Sequence, residues 1–209
     1  MQHISTGCPV DILRALRMDI KTKRKEEIFT AALLCFNEKG YAETTISDIA
    51  AKAGISKGGL YHYFTTKREL FLELFLYRVT KYSEQLRGHL HQTDSPEKRL
   101  QILMKKTGQL LKKNEDFYRF CLEFLAMGAR DHEIRKVMTG FYKDTVGIFQ
   151  QLVNEGIDTG RFTPMDSKKV ARTIYFMVMG VFFTFFSVDP DFDFSDQLSF
   201  QIDFMLKSM

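Results

Sequence analysis

A short segment of this chain concentrates side chains that donate hydrogen bonds to anionic oxygens. The polar candidates between residues 56 and 67 are Ser56, Lys57, Tyr61, His62 and Lys67. Hydroxyl, ammonium, phenol and imidazole groups of this kind contact phosphate oxygens, and some of them reach base edges in a major groove. The set contains few obvious base readers and suits phosphate contact better. The segment therefore predicts a surface that binds nucleic acid.

Two adjacent glycines lie inside the same segment. Gly58 and Gly59 fall in a predicted helix of about two turns, where each glycine costs about 1 kcal/mol relative to alanine. The functional interpretation is that the helix backbone comes close to a nucleic acid. The structural alternative is a frayed turn or a tight contact with the first helix.

Capping signals predict the two short helices that position these side chains. Thr45 and Asp48 form the pattern of a capping box, so a helix should begin at Ile46. Its apolar residues recur at helical spacing, and Gly54 supplies the left-handed position that ends it. Ser56 then caps a second helix. Because helices this short are not stable alone, we expect a helix-turn-helix pair packed on other helices.

Helices on either side complete the predicted helix-turn-helix domain, which we call the head. An apolar stripe places a first helix over about Lys23 to Lys39, closed by Gly40. Thr66 with Glu69 repeats the capping-box pattern and starts a long helix at Lys67. In this position the helix amides and the Lys67 ammonium together suit a phosphate.

Residues 1–22 form a predicted N-terminal extension. It has no strong periodicity and ends in a basic cluster that includes Lys21, Lys23, Arg24 and Lys25. The extension is expected to be a solvated tail, with a basic arm along DNA as the alternative. A regular sequence pattern begins abruptly after Met18. This motivates the hypothesis that Met18 is the natural start of the protein.

The run from Ile28 to Leu70 resembles the N-terminal domain of the tetracycline-repressor (TetR) family. The features that agree are AA-x-x-x-F-x-x-x-GY, the turn T-x-x-x-IA-x-x-AGIS and the segment SKGGLYHYFTTKREL. The resemblance implies a DNA-binding head in which Gly58 matches a position where a side chain would intrude on the DNA. The residues that it implies contact DNA, mostly through the backbone of the nucleic acid, are Thr45, Ser56, Lys57, Tyr61, His62 and Lys67.

The pattern of apolar residues in the remainder of the chain predicts helices, and no segment has the pattern of a strand. Ser95 with Pro96 marks one helix start and Asp131 caps another. Later helices are expected over Val170 to Ser187 and Gln197 to Leu206. The predicted fold is all-α with about nine helices, divided into residues 1–22, a helix-turn-helix domain at 23–68 and a helical effector-binding and dimerisation domain at 69–209.

The excess of positive over negative charge lies in residues 1–68. Residues 1–68 hold 11 Lys plus Arg and 7 Asp plus Glu, whereas residues 69–209 hold 19 of each. A basic segment joined to a neutral one is expected when only the first part meets phosphate.

The second domain is rich in side chains that line adaptable apolar cavities. It holds 17 of the 20 phenylalanines and 8 of the 10 methionines. For a single residue an ordinary core is the simpler interpretation, but the family resemblance implies a small inducer. We place an uncharged or amphipathic hydrophobic effector between helices four to eight, around Phe117, Phe120, Cys121, Phe124, Phe149 and Met177.

One helix is apolar nearly all round. The run Ile174 to Phe186 has 13 residues, short of the roughly 20 that span a bilayer, so no membrane contact is expected. A second subunit would cover its outer face, with Gly180 permitting close approach. Together with Ile202, Phe204 and Leu206 on the last helix, it predicts a homodimer through a four-helix interface, placing two recognition helices on a pseudo-palindromic operator in double-stranded DNA.

Other functional classes find little support in the sequence. Cys8, Cys35 and Cys121 show no metal or disulfide spacing, and no signal peptide is evident, so a reducing cytoplasm is expected. His89 and His91 are two residues apart and do not share a helix face, so we expect no metal site and no cofactor. The chain has no G-x-S-x-G, phosphate loop or HExxH, which argues against an enzyme.

The leading hypothesis is a DNA-binding transcriptional repressor that a small hydrophobic effector releases from its operator. The alternative is a DNA-bound structural or partner-binding protein of the same fold, without an effector, whose interior is filled by phenylalanines. An open or a filled interior distinguishes the two.

Overall fold

The computed structural model describes residues 9–90 and 93–209, and it is helical throughout. The described residues form nine helices and no strand, which confirms the predicted all-α fold. The helices are α1 (Pro9–Glu43), α2 (Ile46–Lys52), α3 (Lys57–Tyr61), α4 (Lys67–Leu90), α5 (Pro96–Lys113), α6 (Glu115–Gly128), α7 (His132–Asp158), α8 (Ser167–Ser187) and α9 (Phe194–Leu206). The chain divides into two compact units, the first ending at Leu74 and the second running from Phe75 to Met209.

The first unit packs its short helices around aromatic side chains. Phe36 and Phe71 meet edge to face at 5.1 Å between ring centroids, and Phe29 lies 5.4 Å from Phe64. Ile49 and Leu60 of the two short helices are fully buried. Burial of this apolar surface supplies the stabilisation that α2 and α3 are too short to provide for themselves.

The end of α1 is a turn whose carbonyl groups need partners. Gly40 adopts a φ of 75° and a ψ of 165°, which interrupts the helical geometry and kinks α1 at the position where the sequence predicts its end. Thr44 is the one buried polar residue among those described, and its hydroxyl lies 3.0 Å from the Cys35 carbonyl oxygen and 2.7 Å from that of Gly40. This hydroxyl helps to satisfy carbonyls that the helix end leaves unpaired.

The second unit is a bundle in which α5 packs against α9 and α7 packs against α8. Close approach of α5 and α9 occurs at Gly108, where an added Cβ would lie 2.8 Å from the Ser195 Cα. Phe75 of α4 stacks on Phe124 of α6 with ring centroids 3.9 Å apart. The phenylalanine-rich composition thus serves partly as ordinary core.

Several predicted helix ends differ from the structure. The prediction that α1 begins at Lys23 was wrong, because its backbone is helical from Pro9; the rest of the predicted extension, residues 1–8, lies outside the described residues. Helices α8 and α9 each begin three residues before the predicted start. The cause is an aspartate cap in both, Asp166 accepting from the Lys169 amide and Asp193 from the Ser195 and Asp196 amides.

Helix α8 is longer than its apolar core indicates. It has 21 residues and is, among the described residues, the one helix whose length and hydropathy would allow it to cross a membrane. The predicted run of 13 apolar residues, Ile174 to Phe186, forms the C-terminal part of this helix, and a single helix of this kind does not by itself indicate a membrane span. Only 22% of its most apolar window is buried within the chain, so much of an apolar surface faces outward.

Candidate nucleic-acid interface and ligand cavity

The predicted nucleic-acid-binding side chains lie at the surface of α3. Lys57, Gly58 and His62 are exposed, and Tyr61 is 45% exposed although it is aromatic. No hydrogen bond or ion pair of Lys57 occurs within the described part of the chain, so its ammonium is available to an anion. The Ser56 hydroxyl instead accepts from the Gly59 amide at 3.0 Å and caps the helix.

Thr45 and Asp48 form the predicted capping box at the start of α2. The Thr45 hydroxyl accepts from the Asp48 amide at 3.1 Å, and the Asp48 carboxylate accepts from the Thr45 amide at 2.8 Å. Lys39 of α1 also donates to this carboxylate at 2.8 Å. The Lys39 contact, followed by those of Thr45, holds the pKa of Asp48 well below its usual range. The exposed Thr45 is thereby fixed at the N-terminus of α2.

The capping box predicted for Thr66 and Glu69 at the start of α4 forms only one of its two hydrogen bonds. The Thr66 hydroxyl accepts from the Glu69 amide at 3.0 Å as expected. The Glu69 carboxylate, however, accepts from the amide and hydroxyl of Thr65, each at 2.6 Å. These bonds from Thr65 are the main cause of the lowered pKa of Glu69.

Lys67 occupies a different position from the other predicted contact residues. Its ammonium donates to the carbonyl oxygens of Tyr41 at 2.6 Å, Ala42 at 3.0 Å and Thr44 at 2.8 Å. The same ammonium lies 4.4 Å from the Tyr41 ring centroid. Because an ammonium has three hydrogens, these carbonyls use all of them. These contacts tie the turn after Gly40 to the start of α4, so we expect Lys67 to position the helices of the first unit instead of holding a phosphate.

Gly58 has open space where a side chain would be. An added Cβ would meet only the Ser56 Oγ, at 4.0 Å, so no contact within the protein requires glycine here. Gly59 is different, because its added Cβ would lie 3.2 Å from that oxygen. A tight contact with the first helix therefore does not explain Gly58, which leaves the frayed turn and close approach to a nucleic acid as the two interpretations.

Replacing Gly58 with alanine should separate folding from nucleic-acid binding. We expect the melting temperature to stay the same or rise, because alanine favours a helix by about 1 kcal/mol. We expect operator affinity, measured by fluorescence anisotropy, to fall at least tenfold, about 1.4 kcal/mol. Gly147→Ala is the matched control, an exposed helical glycine of α7 with no atom near its added Cβ. Unchanged affinity in Gly58→Ala would show that α3 does not approach DNA at this point.

The second unit encloses a cavity of about 190 Å³ among α4, α5, α6, α7 and α8. These are the helices between which the sequence places an effector. The α4 residues that line the cavity run from Phe75 to Arg87 and span about 18 Å along the helix axis at about 1.5 Å per residue. Arg87 is the only charged side chain among the described residues that line it.

Half of the residues predicted to contact an effector line this cavity. Phe117, Cys121 and Phe149 do so. Phe120 and Phe124 belong to the neighbouring stripe of α6 and are buried in the core instead. Met177 does not line the cavity either, and Val178 and Met179 of the same helix do. A sequence cannot separate the cavity-facing stripe of a helix from the adjacent core stripe, since both are apolar.

The sequence interpretation missed the polar side chains in the cavity wall. They are Tyr82, Ser83, Arg87, Thr107, Tyr118, Thr145 and Tyr175. The available signal was the spacing of Phe75, Val79, Tyr82, Ser83 and Leu86 along α4, which is helical and includes polar residues. Burial raises the pKa of Tyr82 and Tyr118 above that of an ordinary tyrosine.

The structure brings together no group of three or more potential metal ligands among its described residues. His91 lies outside the described residues, so the predicted pair with His89 has no structural description. Cys35 and Cys121 are free and buried, and burial raises the pKa of both thiols.

The sequence of this chain matches the models of known protein families. Residues 28–74 match the model described as bacterial regulatory proteins, tetR family, and residues 75–203 match the C-terminal region of YsiA-like proteins. The chain is 31% identical over 154 residues to YvdT of Bacillus subtilis, an uncharacterised helix-turn-helix transcriptional regulator. That match covers 73% of this chain and 77% of the relative.

A second relative and a solved structure carry more specific descriptions. The fatty acid metabolism regulator protein of B. subtilis is 24% identical over 159 residues, covering 75% of this chain and 81% of its own. The crystal structure of the transcriptional regulator FadR from B. subtilis, in complex with stearoyl-CoA, superposes with a TM-score of 0.78. It is 21% identical and covers 88% of this chain and 98% of its own, which shows a shared fold.

Proposed function

The chain belongs to the tetR family of bacterial transcriptional regulators, and from this we propose that it is a repressor that a hydrophobic effector releases from its operator. The observation that carries the proposal is the mostly apolar cavity in the second unit. A DNA-binding head joined to an apolar cavity is the arrangement that ligand control requires. Because a repressor acts on the chromosome, we place the protein in the cytoplasm.

We assign DNA binding to the first unit through α2 and α3. The exposed groups that support this are the Lys57 ammonium, the Tyr61 phenol and the His62 imidazole, with Thr45 at the start of α2. Ser56 contributes by capping α3 and Gly58 by leaving its surface open. These contacts go mainly to phosphates, which fix the position of a protein on DNA without specifying the bases.

The exposed apolar surface of α8 and α9 supports a homodimer. Phe176 and Phe183 of α8 are 59% and 43% exposed, while Phe200 and Phe204 of α9 are 64% and 68% exposed. Large exposed apolar side chains on two helices that pack against each other are typical of a protein interface. One residue predicted to lie in the dimer interface does not do so. Ile202 is 1% exposed and belongs to the core of its own chain.

We therefore propose that a second subunit packs on the exposed apolar face of α8. Gly180 has no atom within 4 Å of an added Cβ, so a partner helix can come close there. Regulators of this family bind DNA as dimers, and two heads related by a two-fold axis would meet the half-sites of a pseudo-palindromic operator.

The proposed effector is a molecule with a long hydrocarbon chain and at most one charged end. The α4 part of the mostly apolar wall extends for about 18 Å, at about 1.5 Å per helical residue, and a wall of this extent favours an extended hydrocarbon chain. Arg87 gives the cavity a cationic residue, and no carboxylate of residues 9–90 and 93–209 lines it, which favours an anionic or neutral head on the effector. Fatty acids and their thioesters have this form, in agreement with the fatty acid regulator and the stearoyl-CoA complex among its relatives.

The alternative protein without an effector is not favoured. It requires phenylalanines to fill the interior of the second unit, whereas a cavity of about 190 Å³ remains open there. The relatives are transcription regulators, so an enzymatic role has no support from them.

The test combines operator binding with effector release. The full chain is bound to DNA from upstream of its own gene and titrated with saturated fatty acids from octanoic to stearic acid, and with the corresponding CoA thioesters. We expect the longer acyl compounds to raise the melting temperature and to dissociate the DNA, and light scattering to show a dimer. Choline, which has no chain, is the negative control. If no acyl compound alters either melting or DNA binding, the proposed effector class is wrong.

A further inference from the structure

The row of α4 residues in the cavity wall changes character from one end to the other. Phe75 and Val79 are apolar, whereas Ser83 and Arg87 are polar, and these residues follow one another at intervals of one helical turn. Their exposure changes in the same direction, since Phe75 is buried, Val79 and Ser83 are half-buried, and Arg87 is exposed. This part of the wall is therefore apolar and covered at Phe75, and polar and in contact with solvent at Arg87.

The gradient gives a chain-like ligand with one charged end a single favourable direction. A carboxylate buried beside Phe75 would lose its hydration without gaining a polar partner, which is costly. Beside Arg87 the same carboxylate stays partly hydrated and meets a positive charge. We therefore expect the carboxylate of an acyl chain at Arg87 and its terminal methyl group at Phe75.

Phe75 is held in place by other aromatic rings. It stacks on Phe124, with ring planes 6° apart and ring centroids separated by 3.9 Å. Phe117 and Phe141 also line the cavity, and their ring centroids lie 6.2 and 6.4 Å from that of Phe75. Phe124 itself is fully buried and does not line the cavity, so the Phe75 ring separates the cavity from the packed core at this point. Because a close-packed core yields little to added atoms, the wall is firm here.

We propose that Phe75 limits the length of the hydrocarbon chain that the cavity accepts. This inference rests on the proposed effector function and adds the residue that decides between shorter and longer effectors. A chain of the right length ends against the Phe75 ring. A longer chain must displace the ring from its stack on Phe124 or leave part of its hydrocarbon in water, and it binds more weakly for either reason.

The test measures the affinity of the protein for saturated fatty acids with even numbers of carbon atoms, from octanoic to docosanoic acid, by competition with a fluorescent fatty acid. In the wild type we expect affinity to rise with chain length up to one acid and to fall beyond it. Phe75→Leu and Phe75→Ala replace the ring with a smaller side chain and should move this maximum to longer acids, Phe75→Ala further than Phe75→Leu. Val79→Phe adds a ring about 6 Å nearer to Arg87 along α4 and should move the maximum to shorter acids.

The control variant is Phe194→Leu. Phe194 is 4% exposed and lies at the start of α9, outside the cavity lining, so this change removes a buried ring as Phe75→Leu does. Its maximum should stay at the chain length of the wild type. Should Phe75→Ala be unfolded at the temperature of the assay, Phe75→Leu and Val79→Phe decide the question.

Two results would count against the inference in different ways. A maximum that stays at the wild-type chain length in Phe75→Leu would overturn the role of Phe75 while leaving effector binding intact. A wild type that binds none of the acids would instead refute the proposed effector function on which the inference rests.

Discussion

Replacing Lys67 with methionine is expected to lower the free energy of unfolding by about 2 kcal/mol and to weaken operator binding at least tenfold. The loss of three hydrogen bonds leaves the carbonyl groups of Tyr41, Ala42 and Thr44 without their ammonium donor. Two of these bonds are partly buried, so water can replace them only in part. The turn between α1 and α2 then loosens, and α2 and α3 lose their fixed position.

The salt dependence of binding distinguishes this positioning role from a phosphate contact. Each lysine that neutralises a phosphate contributes about 0.9 to the slope of log affinity against log salt concentration. Because the Lys67 ammonium is occupied by carbonyls, Lys67→Met should keep the slope of the wild type. Thermal melting and operator binding at several salt concentrations measure both quantities.

Lys57→Met is the matched comparison for Lys67→Met. Lys57 is exposed on α3 and is proposed to contact phosphate, so its loss should reduce the slope by about one and leave stability unchanged. A reduced slope in Lys67→Met with unchanged melting would restore Lys67 to the set of phosphate contacts.

Filling the cavity should produce a repressor that no longer responds to its effector. Thr145 lines the cavity from α7, and Thr145→Trp would occupy much of its 190 Å³. We expect operator affinity to stay as in the wild type and the effector concentration for half release to rise at least a hundredfold. The physical reason is that the indole takes the volume that the hydrocarbon chain needs, while the DNA-binding surface lies in the other unit.

The structure provides a matched control for this substitution. Thr139 lies on α7 as well, and its hydroxyl donates to the carbonyl four residues earlier, as that of Thr145 does. It is exposed and outside the cavity, so Thr139→Trp should release DNA at the effector concentration of the wild type. Normal release in Thr145→Trp would mean that the effector binds elsewhere. Should Thr145→Trp melt at a much lower temperature than the wild type, Val178→Phe tests the same cavity from α8.

The helix-turn-helix pair follows from the sequence because its determinants are local. The Thr45 and Asp48 capping box and the Ser56 cap each join residues three positions apart, and such contacts form wherever the residue types and spacing are right. The same holds for the turn at Gly54, whose φ of 65° requires a left-handed conformation. Together with the distinctive motif of the head, these local signals were sufficient to predict the family.

The contacts of Lys67 and the lining of the cavity were decided only by the tertiary structure. Lys67 meets carbonyls 23 to 26 residues earlier in the chain, and no local pattern distinguishes that contact from an exposed lysine at a helix start. The cavity is formed by five helices, so its lining depends on the rotation of each helix about its own axis. Apolar periodicity identifies the buried side of a helix but does not separate the part that fills the core from the part that borders empty space, and that difference places Phe120 in the core and Tyr82 in the cavity wall.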